Sequence, residues 1–225
     1  MSNIVLVGFK RSPFTIANKG LLASVRPEDI LSQVINDLIK TTNINKDDIE
    51  DIIAGCAYPE GTQGYNIAKI VSFMTDMPEH VGGMTINRWC GSSMQAIHSA
   101  AGAITMNAGK VFICCGIESM TSVPINGLNY SPHPQLLKDQ PNVYLSMGLT
   151  AENVAKKFNI SRKEQQEFAI QSHAKAFKAQ SLKSFDEEIT VIKNQEIEVI
   201  NDGAIRPNTN QEILDGLKFC LLYTS

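Results

Sequence analysis

The chain has 225 residues, 43% hydrophobic and 19% charged, with a formal net charge of −3. That balance fits a globular chain of one large or two small domains and provides no basic field for nucleic acid or an anionic membrane surface. The longest apolar runs, such as residues 4–7 and 111–115, fall far short of the ~20 residues of a membrane-spanning helix. With no signal-peptide core at the start and five irregularly spaced cysteines, a reducing, cytoplasmic setting without a disulfide framework is expected.

Residues 4–8 form an apolar run that predicts a first strand. Pro27-Glu28-Asp29 then opens a helix whose Ile30, Leu31, Val34, Ile35, Leu38 and Ile39 share one face. A second strand is predicted over 49–54, a helix over 66–73, a strand ending at Ile86, a helix over 94–108 with Gly109 as its stop, and a strand over 111–117. In the last of these helices, Met94, Ile97, Ala101 and Ile104 recur at helical spacing. Strands alternating with helices predict a mostly parallel sheet covered by helices. Cys114 and Cys115 are adjacent within the last strand, so they face opposite sides of the sheet and are read as packing residues, as is Cys56. Beyond Glu118 the prolines at 124, 132, 134 and 141 mark a loop-rich stretch, after which helices dominate. Ser161-Arg162-Lys163-Glu164 reads as a capping box, with Phe168, Ala169, Ser172, Ala176 and Phe177 continuing a helical face and His173 beside it as a packing or capping residue.

The chemistry-bearing segment is Asn87-Arg88-Trp89-Cys90-Gly91-Ser92-Ser93-Met94-Gln95-Ala96. It places one thiol between a strand and a helix start, among small residues that let a substrate approach the backbone. On spacing alone two readings stand: a reactive nucleophile, or a small buried hydrophobe. A helix N-terminus stabilises an anion by roughly 0.3–1 kcal/mol, too little to ionise an ordinary thiol at neutral pH, so a nucleophilic Cys90 needs a base from elsewhere in the fold. His98 lies about 12 Å further along the same helix at 1.5 Å per residue, out of reach. The sequence contains no Gly-x-Gly-x-x-Gly, phosphate loop, Cys-x-x-Cys pair or His-Glu-x-x-His helix, so nicotinamide, phosphate-loop and metal sites lack support.

The decapeptide around Cys90 resembles the active-site segment of the thiolases, Asn-Arg-x-Cys-(Gly/Ser)-Ser-(Gly/Ser)-x-Gln-Ala. The resemblance continues in order along the chain. Lys10-Arg11-Ser12-Pro13-Phe14 is similar to the family's opening, and Gly55-Cys56-Ala57-Tyr58-Pro59-Glu60-Gly61-Thr62-Gln63-Gly64-Tyr65-Asn66-Ile67-Ala68 to its first crossover. Gly116-Ile117-Glu118-Ser119-Met120-Thr121 resembles the stretch after the third strand, Met147-Gly148-Leu149-Thr150-Ala151-Glu152-Asn153 a helix opening, and Arg206-Pro207-Asn208-Thr209 the family's Arg-Pro-x-Thr segment.

The resemblance implies an α/β, thiolase-like fold, of which this is the first half of a layered αβαβα architecture with a helix-rich loop domain. Residues 1–117 would carry the nucleophile, and 118–219 would form the loop domain that covers the site and binds CoA. It implies that Cys90 attacks a 3-ketoacyl-CoA, expels acetyl-CoA and carries the acyl group until CoA takes it, with its own amide helping to bind the oxyanion. Met147 is implied as an acyl or pantetheine contact, where Ser146 replaces the His of many members. CoA is then a substrate and no resident cofactor or metal is expected. The full protein would be a homodimer or homotetramer. The form of the Cys90 segment points to the degradative, β-oxidation type. The alternatives are a biosynthetic acetoacetyl-CoA thiolase and a non-catalytic acyl-CoA binder.

Members of the family also carry Asn-Glu-Ala-Phe, Gly-His-Pro-x-Gly and Cys-x-Gly-x-Gly segments, the last two supplying the histidine that activates the nucleophile and the acid/base cysteine. None occurs in this sequence, and His80, His98, His133 and His173 lie in other contexts, so this chain alone is expected to lack turnover. Residues 220–225 back-translate as TGT CTC TTA TAC ACA TCT, the transposon-end adapter of sequencing libraries. They are expected to be adapter read-through, with the natural protein running on into a second half.

Overall fold

In the computed structural model, which describes residues 4–217, the run Asp51–Gly55 forms β1, the middle strand of a three-stranded parallel sheet. β2 (Gly82–Ile86) pairs on one side of it, from Asp51 opposite Gly82 to Gly55 opposite Ile86. β3 (Phe112–Gly116) pairs on the other, from Asp51 opposite Phe112 to Gly55 opposite Gly116. β1 is buried from Ile52 onward because helices cover both faces of a parallel sheet. Ile52 and Ala54 point to one side, where they pack with Leu31 and Ile35 of α1 (Pro27–Thr42) and Ile67, Ala68 and Val71 of α2 (Ile67–Met74). Ile53 points to the other, against Ala96 and Ala100 of α3 (Ser92–Thr105). Each fully buried isoleucine in these layers contributes about 1.5–3 kcal/mol of transfer free energy. Cys115 joins the first layer and Cys114 the second, on opposite faces as expected.

α1 begins as the sequence dictates, with Pro27 in its first turn and Glu28 and Asp29 at its positive end, and it stops at Asn43 in the left-handed region, φ 53°. α3 ends earlier than expected. Its stop is Asn107, φ 59°, with Ala108 N–H donating to Ala103 O at 2.9 Å and Asn107 N–H to Ile104 O at 3.1 Å; this double closure satisfies the last carbonyls before Gly109 is reached. The buried stripe of α3 also differs from the expected one. Ser92, Ala96 and Ala100 face the sheet, while Met94 and Ile97 are exposed. A helix seated this close to a sheet needs small residues at the contact, and the larger side chains turn outward.

Two further expectations are corrected. Residues 4–8 form no strand, and Ile4, Val5, Leu6 and Val7 are exposed; an apolar run becomes a strand only with a ladder partner, and none is present among the described residues. The stretch 186–204, expected within the helical domain, belongs to the sheet-bearing unit, which comprises residues 4–129 and 186–204. There it forms a short hairpin of β4 (Ile192–Lys193) and β5 (Glu198–Val199), with Ile192 and Val199 packed on Leu22, Val25 and Ile30. Arg11 ties this return to the N-terminal segment, pairing with Glu188 at 2.6 Å and with Asp202 at 2.8 Å.

The second unit, residues 130–185 and 205–217, carries α4 (Pro134–Asp139), α5 (Met147–Phe158), α6 (Arg162–Ser181) and α7 (Gln211–Asp215). The capping box is present: Ser161 Oγ accepts from Glu164 N–H and Ser161 N–H donates to Glu164 Oε2 at 2.7 Å. The expected α6 face is not a buried one. Phe168 and Phe177 are exposed, and Gln166 is the buried residue of the helix, bonded to Asp215 and Gln211 of α7. Residues 218–225, including the tail read as adapter-derived, lie outside the described residues.

Candidate active site

All three strands run the same way, so the loops that follow Gly55, Ile86 and Gly116 emerge at one end of the sheet, where open α/β sheets place their sites. Cys90 sits in the middle loop. It is a free, exposed thiol, one residue before the Gly91 N-cap of α3. The loop is held by its own polar groups: Asn87 Oδ1 accepts from Trp89 N–H at 2.9 Å, and Ser92 Oγ accepts from Arg88 N–H at 2.8 Å while donating to Trp89 O at 2.5 Å. Trp89 lies in the left-handed region, φ 48°, a strained conformation for a bulky residue that persists only where the surroundings over-determine it. The loop is also fixed from outside. Asn87 Nδ2 donates to Ala57 O at 2.8 Å, and the Tyr58 and Trp89 rings meet edge to face at 5.3 Å.

Glycines at two strand ends set how closely α3 approaches. A Cβ on Gly55 would lie 2.5 Å from the backbone of Ser92 and Ser93, and one on Gly116 would run into Ser93 Oγ. The loops after β1 and β3 are joined by Glu118. Its Oε2 accepts from Ala57 N–H at 2.6 Å, and its Oε1 accepts from Gln63 Nε2 at 2.9 Å and Tyr58 N–H at 3.3 Å. Fully buried Gln63 also accepts from Ser119 N–H through Oε1.

The other described thiols are unsuited to attack. Burial, with the Glu118 charge adding to it, pushes Cys56 up to about 12. Burial likewise pushes Cys115 up to about 12 and raises Cys114. Cys90 is the exposed thiol among the described residues, so the arrangement offers one nucleophile at the mouth of a helix, on a loop braced by its neighbours.

Residues 4–220 match the family model for the thiolase N-terminal domain. The chain belongs to the thiolase family. It is 36% identical over 231 residues to the 3-ketoacyl-CoA thiolase of Bacillus subtilis (strain 168), covering 97% of this chain and 59% of that protein. It is 37% identical over 225 residues to that of Shewanella sp. (strain MR-7), covering 97% and 58%. Among solved structures, human mitochondrial 3-ketoacyl-CoA thiolase in complex with CoA superposes with a TM-score of 0.82 at 27% identity, covering 94% of this chain and 56% of that one. The acetyl-CoA acetyltransferase of Bacillus anthracis gives 0.80 at 30% identity, covering 95% and 58%. This thiolase chain thus spans somewhat more than half the length of the relatives it matches.

The other residues singled out in the sequence fall as follows. Met147 opens α5 in the second unit and is 70% exposed. Ser146 before it caps that helix, its side chain accepting from Leu149 N–H at 3.4 Å. His133 Nδ1 accepts from Leu136 N–H as the N-cap of α4, and His173 Nδ1 accepts from Arg206 N–H at 3.2 Å; both serve the backbone, but His173 stands inside α6, whose caps are Ser161 and Leu182, and binds a loop amide instead of capping a helix. His98 is an exposed residue of α3. Sequence reasoning assigned no polar role to Asn87, Ser92, Gln63 or Glu118, although all four lie within thiolase-like motifs; polar residues beside glycines at strand ends were the available signal.

Proposed function

We propose that this chain is the N-terminal part of a degradative 3-ketoacyl-CoA thiolase, in which Cys90 forms the acyl-enzyme and CoA is a substrate that takes the acyl group away. The observation that carries the reading is the placement of the exposed Cys90 thiol at the strand-to-helix turn of a thiolase sheet. In the reaction, the Cys90 thiolate adds to the 3-keto carbon, the bond between C2 and C3 breaks, and the released two-carbon carbanion is protonated to give acetyl-CoA. The remaining acyl thioester is transferred to the sulfur of a second CoA. The Cys90 amide is the group proposed to bind the oxyanion, and Met147 is proposed to contact acyl or pantetheine atoms.

The base and the acid/base thiol needed for turnover are assigned to segments that this chain does not contain, so the chain alone is proposed to be inactive. The full protein is proposed to be a cytoplasmic homodimer or homotetramer of lipid metabolism. Among the described residues no helix is long and apolar enough to cross a membrane.

The decisive experiment treats the full-length protein with a 3-ketoacyl-CoA and looks for acylated Cys90 by mass spectrometry. An acyl adduct on Cys90 supports the reading; an unmodified Cys90 favours a non-catalytic acyl-CoA binder. The likeness to the Bacillus anthracis acetyltransferase favours a second reading, a biosynthetic acetoacetyl-CoA thiolase. Turnover of acetoacetyl-CoA but not of 3-ketohexadecanoyl-CoA selects it. Cleavage of acetoacetyl-CoA by the 225-residue chain alone overturns the claim of inactivity.

A further inference from the structure

We propose that Glu118 is a positioning residue for Cys90, acting across the sheet end through the loop that follows β1. The inference rests on Cys90 being the nucleophile and goes beyond it, because Glu118 lies in the loop after β3 and acts on the Cys90 loop through other residues.

Two routes lead from this one carboxylate to the residue before Cys90. In the first, Glu118 Oε2 accepts from Ala57 N–H at 2.6 Å, Ala57 O accepts from Asn87 Nδ2 at 2.8 Å, and Asn87 Oδ1 accepts from Trp89 N–H at 2.9 Å. In the second, Glu118 Oε1 accepts from Tyr58 N–H at 3.3 Å, and the Tyr58 ring packs edge to face on Trp89 at 5.3 Å. Both routes end on Trp89, whose φ of 48° needs external support to persist.

The chemistry of the position also selects a carboxylate. All the groups aimed at Glu118 are donors: the amides of Ala57 and Tyr58, Gln63 Nε2 and the Cys56 thiol. An ionised carboxylate is acceptor-only and meets all of them, whereas a glutamine would turn an NH₂ against at least one donor.

The test compares wild type with Glu118→Gln and Asn87→Ala in two readouts. One is the rate at which iodoacetamide alkylates Cys90, followed by peptide mass spectrometry. The other is the emission of Trp89, the single tryptophan of the chain. Both variants are expected to slow Cys90 alkylation by at least about threefold, as a loss of roughly 0.7 kcal/mol would do, and to shift the Trp89 emission. Labelling of Cys114 and Cys115 should stay at its wild-type level, which a general loosening of the fold would not allow. The double variant should be slowed by less than the product of the two single effects, since both substitutions act on the first route. Unchanged or faster alkylation with unshifted emission in Glu118→Gln overturns the proposal. Should Glu118→Gln expose Cys114 and Cys115, Asn87→Ala decides in the same way, because it cuts the route at the Cys90 loop and leaves the Glu118 cluster whole. Neither readout involves acyl chemistry. A wild-type Cys90 that never takes an acyl group, with both shifts still present, refutes the acyl-enzyme reading of Cys90 alone.

Discussion

Four described cysteines illustrate how environment, and not residue type, decides reactivity. Cys114 and Cys115 are packed in the sheet and Cys56 is buried just after β1, and burial raises all three thiols; Cys90 is open to solvent. Since the thiolate is the reacting species, limited iodoacetamide at pH 8 is expected to label Cys90 at least about tenfold faster than Cys56, Cys114 or Cys115, and equal labelling would contradict the packing described. Another residue-scale expectation concerns Asp202. Burial alone would raise its carboxyl, but the hydrogen bond from Arg11, the Phe14 amide and the Arg11 charge together hold it below its ordinary value. A carboxyl lowered in the folded state adds stability that is full above its unfolded value, near 3.9, and lost as pH falls through the folded one. Asp202→Asn is therefore expected to cost about 1–2 kcal/mol at pH 7, discounted for partial exposure, and the difference from wild type should shrink by pH 3. Denaturant unfolding at the two pH values checks this, and a deficit of equal size at both would count against the pairing. At this scale much of the site was legible in the sequence. Cys90 stood out by its neighbours, and the opposite facing of Cys114 and Cys115 followed from the period of a strand. The partners of Glu118 did not follow, because a bond across 61 residues of chain, from Glu118 to Ala57, leaves no local pattern.

At the scale of elements, the position of the thiol depends on how α3 sits on the sheet. Gly55 and Gly116 let its first turn come within contact of the strand ends. Gly55→Ala places a methyl against helix backbone that has nowhere to move, and the expected cost is about 1–3 kcal/mol, read as a lowered melting temperature with slower alkylation of Cys90. Gly102 provides the control within the same helix. A Cβ there meets nothing within 4 Å, so Gly102→Ala should be neutral or gain up to about 1 kcal/mol from helix propensity. If the two substitutions behave alike, the close seating of α3 is not what holds the turn. The sequence showed that a helix follows Cys90 but misplaced its buried stripe. Periodicity locates the large apolar residues, whereas a tight helix-to-sheet contact selects the small ones, Ser92, Ala96 and Ala100. The helix end was misread for a related reason: Asn107 adopts the left-handed conformation two residues before Gly109, and asparagine tolerates that region. The hairpin at Ile192 and Val199 was overlooked because each strand is two residues long, too short for alternation to register.

Across the whole molecule, the order of motifs revealed the family, and three of them, after Gly55, Ile86 and Gly116, mark strand ends that the parallel sheet brings to one end. The unit boundary was not marked in this way. Composition changes at Glu118, but the chain stays with the sheet-bearing unit to Asn129 and returns to it from Asp186 to Ala204, and that return is fixed by ion pairs of Arg11 that no local feature announces. The two units also differ in how they are held. The first has three clusters of buried apolar side chains. In the second, the one buried residue among those described is Gln166, while Phe158, Phe168, Phe177, Leu182 and Ile213 are exposed. Its helices are joined by polar contacts, such as Gln166 to Asp215 at 3.0 Å and Gln211 to Gln166 at 2.7 Å, and contacts of that kind add only about 1 kcal/mol each against solvent. Met94 and Ile97 of α3 and Val5, Leu6, Val7 and Phe9 add further apolar surface in the first unit. Apolar exposure on this scale drives association in water. Sedimentation velocity of the 24.7 kDa chain is accordingly expected to show species larger than a monomer that grow with concentration. Because the described residues of the second unit form no apolar core, residues 147–181 should exchange amide hydrogens well before β1, whose bonds open only when the sheet does. A monodisperse monomer in which the helices of the second unit are protected as long as β1 would mean that polar contacts alone hold that unit, contrary to the small net gain each such contact makes in water.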